Sequence, residues 1–368
     1  MKKLKIALAC GGTGGHIFPG MATACVLRAR GHEVTLWVAG KDVESTALAG
    51  WDGPVLTVKA RGFPHGVSLK ALGSAWQLLC AVRKCRAMMK KDRPDVVLAM
   101  GSYASVGPVG AARRLRIPVV LHESNVLPGR TNALFARGAS AVAGCFEETR
   151  FYMKRKDIVL TGMPLRKELE AASAVLPSLP PEGGPRTVLI MGGSRGARRL
   201  NEVASRAVCE LHRKGSAVEV IHLAGVADEK EVRSIYEEAG VPHKVESFIQ
   251  NMAPVYQKTH LAICRSGAAT CAELSAFGIP ALLVPYPFAS KDHQTANARA
   301  VEKKKAADVV DEKDMTCEFL VDYLTRIFSS PDRLAAMSQA ARKRYSGRGA
   351  EALADLVEQT AAGGRETN

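Results

Sequence analysis

The stretch Cys10–Gly20, CGGTGGHIFPG, decides how the first half of the chain folds. It follows a short apolar run, Leu4–Ala9, that is typical of a buried strand, and it precedes a segment, Met21–Arg30, that we expect to be helical. The four glycines Gly11, Gly12, Gly14 and Gly15 let the backbone turn tightly and leave amide N–H groups uncovered. A strand, a glycine turn and a helix N-terminus together predict a site for an anion or a sugar, with Thr13 and His16 as its chemically active side chains.

Two familiar glycine motifs do not fit this loop. The dinucleotide pattern Gly-x-Gly-x-x-Gly requires a glycine where Ile17 stands, and an acid after the second strand where Ala39-Gly40-Lys41 stands. The phosphate loop of nucleotide triphosphatases requires a Gly-Lys-Ser/Thr sequence that Gly15-His16-Ile17 does not supply. The remaining alternative is a tight turn without a ligand, but four glycines with a histidine and a threonine exceed what a turn requires.

The composition is that of a globular protein with room for two domains in 368 residues. No apolar run approaches the length of a membrane span, and the first residues lack the apolar core of a signal peptide. The nine cysteines form no Cys-x-x-Cys pair, which suits reduced thiols in the cytoplasm. Metal-ligand spacings, including Asp-x-Asp, are absent from the sequence, so we expect no metal cofactor.

The positive charge is concentrated in the first half of the chain. Residues 1–163 contain 24 Lys and Arg against 10 Asp and Glu, whereas residues 164–368 contain 27 against 26. This asymmetry points to an anionic partner, either a lipid surface or a nucleic acid. Because aromatic residues are few and are not interleaved with the basic ones, the pattern favours an anionic membrane surface and no nucleic acid.

Apolar strands alternate with helical stretches through both halves of the chain. The predicted strands are Ile6–Ala9, Val34–Val38, Val55–Val58, Val96–Met100, Val119–Leu121, Ala141–Ala143, Ile158–Thr161, Thr187–Met191, Glu219–Leu223, Leu261–Cys264 and Ala281–Val284. This alternation predicts an α/β fold of two Rossmann-like, doubly wound domains facing each other across a cleft. We expect a first domain over 1–163, a second over 164–341, and a C-terminal helix at about 342–362 packed back on the first.

Six short motifs, taken together, carry a resemblance to a known family. They are GGTGGHIFPG (11–20), HESN (122–125), GMPLR (162–166), GGSRGAR (192–198), CRSGAATCAE (264–273) and DHQTANA (292–298). In order and spacing over essentially the whole chain, this set resembles the MurG family of bacterial glycosyltransferases. The resemblance implies a GT-B fold and inverting transfer of GlcNAc from UDP-GlcNAc to the MurNAc 4-hydroxyl of lipid I, forming lipid II for peptidoglycan. It also implies no bound metal, a peripheral place on the cytoplasmic face of the inner membrane, and other cell-wall synthesis proteins as candidate partners.

The resemblance also implies which residues contact the substrates. The positions that match the family's sugar-nucleotide contacts are Thr13, Gly14, Gly15, Asn125, Arg166, Ser194, Ile249, Ala268, Ala269, Thr270, Cys271, Ala272, Glu273 and Gln294. The local sequence agrees at one point, because Ser266-Gly267-Ala268 opens a helix after a strand and its free N–H groups suit a diphosphate. Glu273 is expected to accept hydrogen bonds from ribose hydroxyls, the alternative being a solvated helix residue, and Ile249 to offer backbone groups to uracil.

The chain departs from the family pattern at two positions. Met163 stands where the family usually has Asn, so a side-chain amide contact is lost there. Arg195 replaces the usual Gln and either adds a cation beside the diphosphate or points outward. Neither change removes a residue on which the interpretation depends.

The reaction needs a base for the acceptor hydroxyl and a positive environment for the leaving UDP. His16 is the first candidate base because its ordinary pKa lies near neutrality; the alternative gives His16 a binding role and makes Glu123 or another group the base. His122 is expected to be structural. Backbone N–H groups, the helix N-terminus after Ser266 and Arg166 would meet the charge that develops on UDP.

A helix over about 68–91 is the predicted membrane contact. One of its stripes, at positions 71, 75, 78, 82, 85 and 89, is apolar and suits the core. A second stripe begins apolar and ends basic, as expected for a helix that dips into lipid with cations at the headgroups. Its members are Leu69, Leu72, Trp76, Leu79, Arg83, Arg86 and Lys90. The alternative is that both stripes are buried, which does not explain the cations.

Two other functions remain open from the sequence. One is a GT-B transferase with a soluble acceptor, which would need neither the basic first half nor the stripe around Trp76. The other is a non-catalytic module that binds a nucleotide sugar or a nucleic acid, against which stands the pairing of two glycine loops with His16. Turnover of UDP-GlcNAc with a short-chain lipid I analogue separates the three.

Overall fold

The structure is a computed structural model that describes residues 2–40, 48–58, 69–153, 155, 157–177, 184–193 and 196–366, with side chains described except at 69–75, 290 and 364–366. The chain divides into two compact units. The first unit comprises residues 1–166 and 348–368, and the second comprises residues 167–347. The sequence-based division placed these boundaries after residues 163 and 341.

The first unit is built on a parallel seven-stranded sheet with the strand order β3-β2-β1-β4-β5-β6-β7. Its strands are β1 (Lys5–Ala9), β2 (Glu33–Val38), β3 (Val55–Thr57), β4 (Val96–Ala99), β5 (Val119–Glu123), β6 (Ala141–Gly144) and β7 (Ile158–Leu160). Its described helices are α1 (Gly14–Ala29), α2 (Leu69–Lys91), α3 (Val106–Arg114), α4 (Arg130–Phe135), α5 (Thr149–Tyr152) and, from the C-terminus, α14 (Gly349–Glu366).

Both faces of this sheet are buried, which explains why its strands are continuously apolar. Ile6 and Leu8 belong to one core cluster, together with residues of α1 and α14. Ala7 and Ala9 point to the other face, into a cluster that includes α2 and α3. The C-terminal helix α14 is further attached by Glu358, whose carboxylate accepts hydrogen bonds from Arg30 at 2.9 Å and from the buried His32 at 2.8 Å.

The second unit repeats the architecture with a six-stranded parallel sheet in the order β10-β9-β8-β11-β12-β13. Its strands are β8 (Arg186–Met191), β9 (Val218–Leu223), β10 (His243–Glu246), β11 (Leu261–Cys264), β12 (Ala281–Leu283) and β13 (Ala307–Val309). Its helices are α6 (Lys167–Ala172), α7 (Arg198–Arg213), α8 (Glu229–Glu238), α9 (Ala253–Lys258), α10 (Ala268–Ala276), α11 (His293–Lys303), α12 (Cys317–Phe328) and α13 (Pro331–Arg344). Strands β10 and β13 are absent from the predicted set, because both are short and carry charged residues.

Helix α1 begins seven residues earlier than the predicted Met21, at Gly14. Its glycines and Pro19 were interpreted as a loop because both residue types disfavour helix interiors. Pro19 has no N–H to donate to the carbonyl of Gly15, so the helix loses one internal hydrogen bond. Packing compensates for this loss: Ile17 is fully buried, and a Cβ at Gly20 would lie only 2.5 Å from Cys10. Tertiary contact therefore overrides local propensity.

Across the described part of the chain, no helix combines the length and the apolar composition needed to cross a membrane.

In each unit the strand order reverses beside the first strand. The neighbours β1 and β4 pair in parallel in the first unit, as do β8 and β11 in the second. In open α/β sheets the loops at the carboxyl ends of such a pair diverge and leave a crevice where ligands bind. The predicted site loops, after Ala9 and after Cys264, both start at such an end.

Candidate active site

Thr13 and His16 are held together at the start of α1. Thr13 is the N-cap residue, but its side chain makes no capping bond. Its Oγ1 instead lies 2.8 Å from Nδ1 of His16. The contact holds the imidazole ring at Nδ1, and in the tautomer in which Nδ1 donates to the hydroxyl, Nε2 carries the lone pair.

The other side of the His16 ring faces Gly101, which follows β4. Gly101 has a φ of +92°, and a Cβ there would lie 3.5 Å from His16 Nε2 and 3.2 Å from Nδ2 of Asn132. The backbone conformation therefore favours glycine, and a Cβ would be tight only against Asn132. Gly101 and Asn132 were not singled out in the sequence; the signal was a Gly-Ser pair directly after the fourth predicted strand.

Glu123 lies at the end of β5 and is 3% exposed. One carboxylate oxygen accepts hydrogen bonds from the backbone N–H of Asn125 at 3.0 Å and from its side chain at 3.3 Å. The other accepts from the N–H of Gly129 at 3.0 Å and from Asn132 at 2.9 Å. Burial raises the pKa of Glu123, while these donors act in the opposite direction. The carboxylate thus organises the loop that presents Asn125.

His122 is completely buried beside this loop. Its Nε2 lies 3.3 Å from the carbonyl oxygen of Gly162, so Nε2 carries the hydrogen and Nδ1 the lone pair. Burial, and to a smaller extent the nearby His16, lower the pKa of His122 to about 4. Within the described ranges Nδ1 of His122, Oδ1 of Asn132 and Oγ of Ser124 are buried without a hydrogen-bond partner. Buried polar atoms of this kind call for a partner such as water or a ligand.

The second unit presents the N-terminus of α10 at the carboxyl end of β11. Gly267 is its N-cap and contributes no side-chain cap, so the first amides of the helix are not covered by their own sequence. Ser266 ties this turn to α11, because its Oγ donates to the Gln294 carbonyl at 2.8 Å. The side-chain oxygen of Gln294 accepts a hydrogen bond from the N–H of Tyr286 at 3.0 Å. Gln294 and the α10 N-terminus are therefore neighbours.

Glu273 is half-buried on α10, and its orientation is fixed by a tyrosine. The hydroxyl of Tyr256, which is 1% exposed, donates to a Glu273 carboxylate oxygen at 2.6 Å. Of the other predicted contacts on α10, Ala269, Thr270 and Ala272 are half-buried, whereas Ala268 is buried. Cys271 is also buried, and its N–H donates to the Gly267 carbonyl at 2.9 Å.

The remaining predicted contacts fall in several places. Ser194 and Arg195 lie outside the described residues. Ile249 is half-buried beside Phe248, an exposed aromatic residue that the sequence analysis did not select. The Arg166 guanidinium lies 5.2 Å from the centre of the Phe18 ring in the first unit. Met163 is buried, so its side chain packs in the core where the family's Asn was expected to make a contact.

Helix α2 separates its two stripes as expected over the described side chains. Leu78, Val82, Cys85 and Met89 are buried, whereas Trp76 is 60% and Leu79 48% exposed. Arg83, Arg86 and Lys90 are exposed, and the Arg83 guanidinium lies 5.9 Å from the centre of the Trp76 ring. The side chains of Leu69 and Leu72 lie outside the described set. An apolar pair beside cations therefore lies on the surface of the first unit.

Known proteins match the chain over nearly its whole length. The glycosyltransferase family 28 N-terminal domain matches residues 6–144, and the family 28 C-terminal domain matches residues 187–359. A relative from Syntrophotalea carbinolica is 38% identical over 92% of this chain and 94% of its own, and one from Hahella chejuensis is 40% identical over 90% and 91%. Both are named UDP-N-acetylglucosamine--N-acetylmuramyl-(pentapeptide) pyrophosphoryl-undecaprenol N-acetylglucosamine transferase.

Among solved structures, MurG of Acinetobacter baumannii superposes with a TM-score of 0.79 and 29% identity, covering 96% of this chain and 99% of that one. A UDP-GlcNAc 2-epimerase from Neisseria meningitidis reaches 0.67 at 14% identity, covering 97% and 100%, which shows a shared fold alone.

Each unit is built on a parallel sheet with a glycine loop after its first strand, and both family 28 domains match in order. Together these features define a glycosyltransferase of the GT-B class. This confirms the fold class and the enzyme class predicted from the sequence. The chain is also 38–40% identical to named relatives over nine-tenths of its length, which identifies its family within this class. The chain belongs to the MurG family.

Proposed function

We propose that this protein transfers GlcNAc from UDP-GlcNAc to the 4-hydroxyl of MurNAc in lipid I, the undecaprenyl-pyrophosphoryl-MurNAc-pentapeptide, and so forms lipid II for peptidoglycan. The observation that carries the proposal is the near-full-length match to relatives named for this activity. The geometry of His16 and of the α10 N-terminus supports it, because one supplies a base and the other a place for a diphosphate.

In the proposed donor site, the uncovered amides at the start of α10 bind the diphosphate of UDP-GlcNAc. They are assisted by the helix dipole, which places partial positive charge at that end. Glu273, held by Tyr256, accepts hydrogen bonds from the ribose hydroxyls. Ile249 offers backbone groups to uracil, and the exposed ring of Phe248 beside it is suited to stack on the base. Gln294 and Thr270 contact the sugar and the phosphates.

Cys271 contributes no direct contact in this scheme, because its thiol is buried and its amide is already bonded within α10. Ser194 and Arg166 stay predictions from the family resemblance. Arg166 is a candidate for a second positive charge on the leaving diphosphate.

In the proposed acceptor site, His16 is the base and Thr13 holds its ring through the contact at Nδ1. The uncovered backbone of Gly14 and Gly15 binds anionic or polar groups of the substrates, as does the Asn125 side chain. Glu123 acts through Asn125 and Asn132, because both its oxygens are occupied by donors of its own loop. His122 stays neutral near pH 7 because its pKa is about 4, so it takes no proton.

The reaction follows as a single displacement. The acceptor oxygen attacks the anomeric carbon of GlcNAc from the side opposite UDP and forms the new C–O bond. The bond to the β-phosphate oxygen breaks, and UDP leaves with that electron pair. The hydroxyl proton passes to Nε2 of His16, and the α linkage of the donor becomes a β linkage in the product. The α10 amides stabilise the charge on UDP, and we propose that no metal ion is needed.

The exposed part of α2 is proposed as the contact with the cytoplasmic face of the bacterial inner membrane. Trp76 and Leu79 insert at the lipid surface while Arg83 and Arg86 meet anionic headgroups. The net charge of the first half of the chain supports this partner. An acceptor carrying a polyprenyl chain stays in the bilayer, so an enzyme that uses it has to reach that surface.

The experiment is turnover of UDP-GlcNAc with a short-chain lipid I analogue, measured as UDP release and as lipid-linked product. We expect both to appear in equal amounts and only when acceptor is present. A soluble aglycone accepted equally well in place of the MurNAc-pyrophosphoryl lipid would favour the alternative transferase. Binding of UDP-GlcNAc with no turnover of any acceptor would favour a non-catalytic module.

A further inference from the structure

Ser102 adopts a backbone conformation that is nearly reserved for glycine. Its φ is 62° and its ψ is 169°, and it directly follows Gly101 in the loop after β4. A residue with a Cβ is strained in this region, so it persists there only when its surroundings hold it. The neighbouring residues therefore have to supply contacts that compensate for the strain.

The contacts come from the Ser102 hydroxyl. Its Oγ donates a short hydrogen bond of 2.5 Å to the carbonyl oxygen of Gly11, in the loop after β1. The same oxygen accepts a hydrogen bond of 3.1 Å from the N–H of Ala104 and so caps the 3-10 turn Tyr103–Ser105. One side chain thus joins the loop after β1 to the loop after β4.

Close packing accompanies this hydrogen bond. Gly12 has a φ of +119°, and a Cβ on it would lie 3.1 Å from Oγ and 3.2 Å from Cβ of Ser102. The hydroxymethyl group of Ser102 therefore occupies the space beside Gly12 and limits where the Gly11–Gly12 backbone can lie. One residue further along this backbone is Thr13, whose hydroxyl contacts the His16 ring.

The segment that carries Ser102 also touches His16 directly. Gly101 lies beside the His16 ring, since a Cβ there would be 3.4 Å from its Cδ2, the distance of an ordinary van der Waals contact. His16 is thus located from two sides, by Gly101 at the ring edge and by Thr13 at Nδ1. Ser102 links these two neighbours of His16. Its hydroxyl is hydrogen-bonded to the loop that carries Thr13, and its backbone continues directly from Gly101.

We propose that Ser102 is a positioning residue for the proposed base: its hydroxyl holds the Gly11–Gly12 backbone, and hence Thr13 and His16, against the loop after β4. This rests on the role of His16 given under the proposed function. The competing explanation is that Ser102 only begins the 3-10 turn through Ala104, in which case its hydroxyl matters for stability and not for transfer.

Two substitutions at Ser102 separate the effect of the backbone strain from the effect of the hydroxyl group. Ser102→Ala removes the hydroxyl and keeps the strain, whereas Ser102→Gly removes both. We therefore expect Ser102→Gly to unfold at a higher temperature than Ser102→Ala. As a matched control, Ser140→Ala removes another hydroxyl that bonds the backbone, at 3.2 Å from the N–H of Val119 at the opposite end of β5.

The measurement is steady-state transfer to the lipid I analogue, with kcat and the KM for UDP-GlcNAc determined separately. Both Ser102 variants should lose roughly ten- to a hundred-fold in kcat, because small misplacements of a reacting group are costly, while the donor KM stays within about two-fold. The Ser140→Ala enzyme should keep the wild-type kcat. A more stable Ser102→Gly enzyme that is nonetheless slow is the decisive result, because a merely structural role predicts activity that follows stability.

Wild-type kcat in Ser102→Gly would overturn the inference, even if Ser102→Ala failed to fold. The activity of His16→Ala tests the proposed base separately from the proposed role of Ser102. If that variant is slow and Ser102→Gly is not, the inference about Ser102 is wrong and the proposed base stands. If His16→Ala is fully active, the proposed base is wrong and the inference about Ser102 is overturned with it.

Discussion

His16 and His122 show how burial assigns different tasks to neighbouring histidines. His122 is fully buried, and the cost of burying an imidazolium lowers its pKa to about 4. His16 is half-buried at a helix start, where the Thr13 hydroxyl is its Nδ1 partner. A group that has to accept a proton at neutral pH cannot be held in the environment of His122. The candidate base is therefore the more exposed histidine.

Replacing His16 with alanine should lower kcat by roughly 10²–10⁴ with little change in the KM for UDP-GlcNAc, because the base acts only on the reacting proton. The acidic limb of the pH–rate profile should disappear with it. The matched control is Thr13→Val, which keeps the imidazole but removes the hydroxyl at Nδ1 and should cause a smaller loss. A His16→Ala enzyme with normal kcat and a raised acceptor KM would reassign His16 to binding.

Glu273 offers a test of the donor site alone. Glu273→Ala removes one or two hydrogen bonds to the ribose and should weaken UDP binding by about 1–3 kcal/mol in titration calorimetry. The control is Tyr256→Phe, which removes only the hydroxyl that orients the carboxylate and should weaken binding less. An unchanged dissociation constant in Glu273→Ala would remove this residue from the site.

At the scale of elements, the sequence predicts what depends on local pattern. The runs at Ile6 and Leu261 are apolar on both faces, which predicts their strands, and the glycine loop after Ala9 and the helix start after Ser266 follow from them. The predicted start of α1 is too late, because glycine and proline disfavour helices locally while the close packing of Gly20 against Cys10 is a tertiary contact. Contacts between distant segments of this kind leave no signature in local spacing.

The same limit applies to the candidate site. Thr13, His16, Asn125 and Glu273 are predicted because they lie within recognisable motifs. Sequence spacing does not give side-chain directions. It therefore could not predict that donors of its own loop surround Glu123, or that Ser102 is hydrogen-bonded to Gly11. Family resemblance names contacts by position, whereas burial and internal hydrogen bonds, such as those of Cys271, are read only from the structure.

A buried polar network joins β9, α7 and α8 in the second unit. The ring of His222 is hydrogen-bonded through Nδ1 to the Tyr236 hydroxyl at 3.0 Å and through Nε2 to Asn201 at 3.1 Å. Asn201 in turn donates to the Ala224 carbonyl at 2.8 Å. Burial lowers the pKa of His222 from 6.5 to about 3, so the folded protein keeps it neutral.

This network predicts acid sensitivity of the second unit. Between about pH 6.5 and 3 the unfolded chain binds a proton at His222 that the folded chain does not, so the free energy of unfolding falls as the pH is lowered. His222→Gln should be less stable at pH 7.5 but show a flatter pH dependence. Because all three tryptophans lie in the first unit, the readout is hydrogen exchange of peptides over 186–246. An equally steep dependence in the variant would contradict the assignment.

At the scale of the whole molecule, charge and exposed apolar residues point to the same partner. The first half of the chain holds nearly all of the net charge of +15, and Trp76 and Leu79 are exposed beside cations on α2. Each cation near an anionic surface contributes about 1 kcal/mol, which adds to the insertion of the apolar side chains. Neither effect alone would secure a peripheral protein to a membrane.

Arg83→Glu with Arg86→Glu, or Trp76→Ser with Leu79→Ser, should reduce co-sedimentation with vesicles containing anionic phospholipid. Transfer to a water-soluble lipid I analogue should stay near normal, because these residues belong to neither the proposed donor site nor the proposed base. The control is Lys303→Glu with Lys304→Glu, which changes the net charge equally on the second unit and should leave vesicle binding nearly unchanged. Unaltered vesicle binding in both α2 variants would mean that this surface is not the membrane contact.

The central claim is the transfer itself, and analysis of its product tests it most directly. The enzyme is incubated with UDP-GlcNAc and a short-chain lipid I analogue, with and without EDTA, and the product is examined by mass spectrometry and NMR. The account predicts one added N-acetylhexosamine, β-linked to the 4-oxygen of MurNAc, at equal rates in both conditions. A product with the α linkage, activity lost in EDTA and restored by Mg²⁺, or UDP-GlcNAc consumed with no sugar added to the lipid would contradict it.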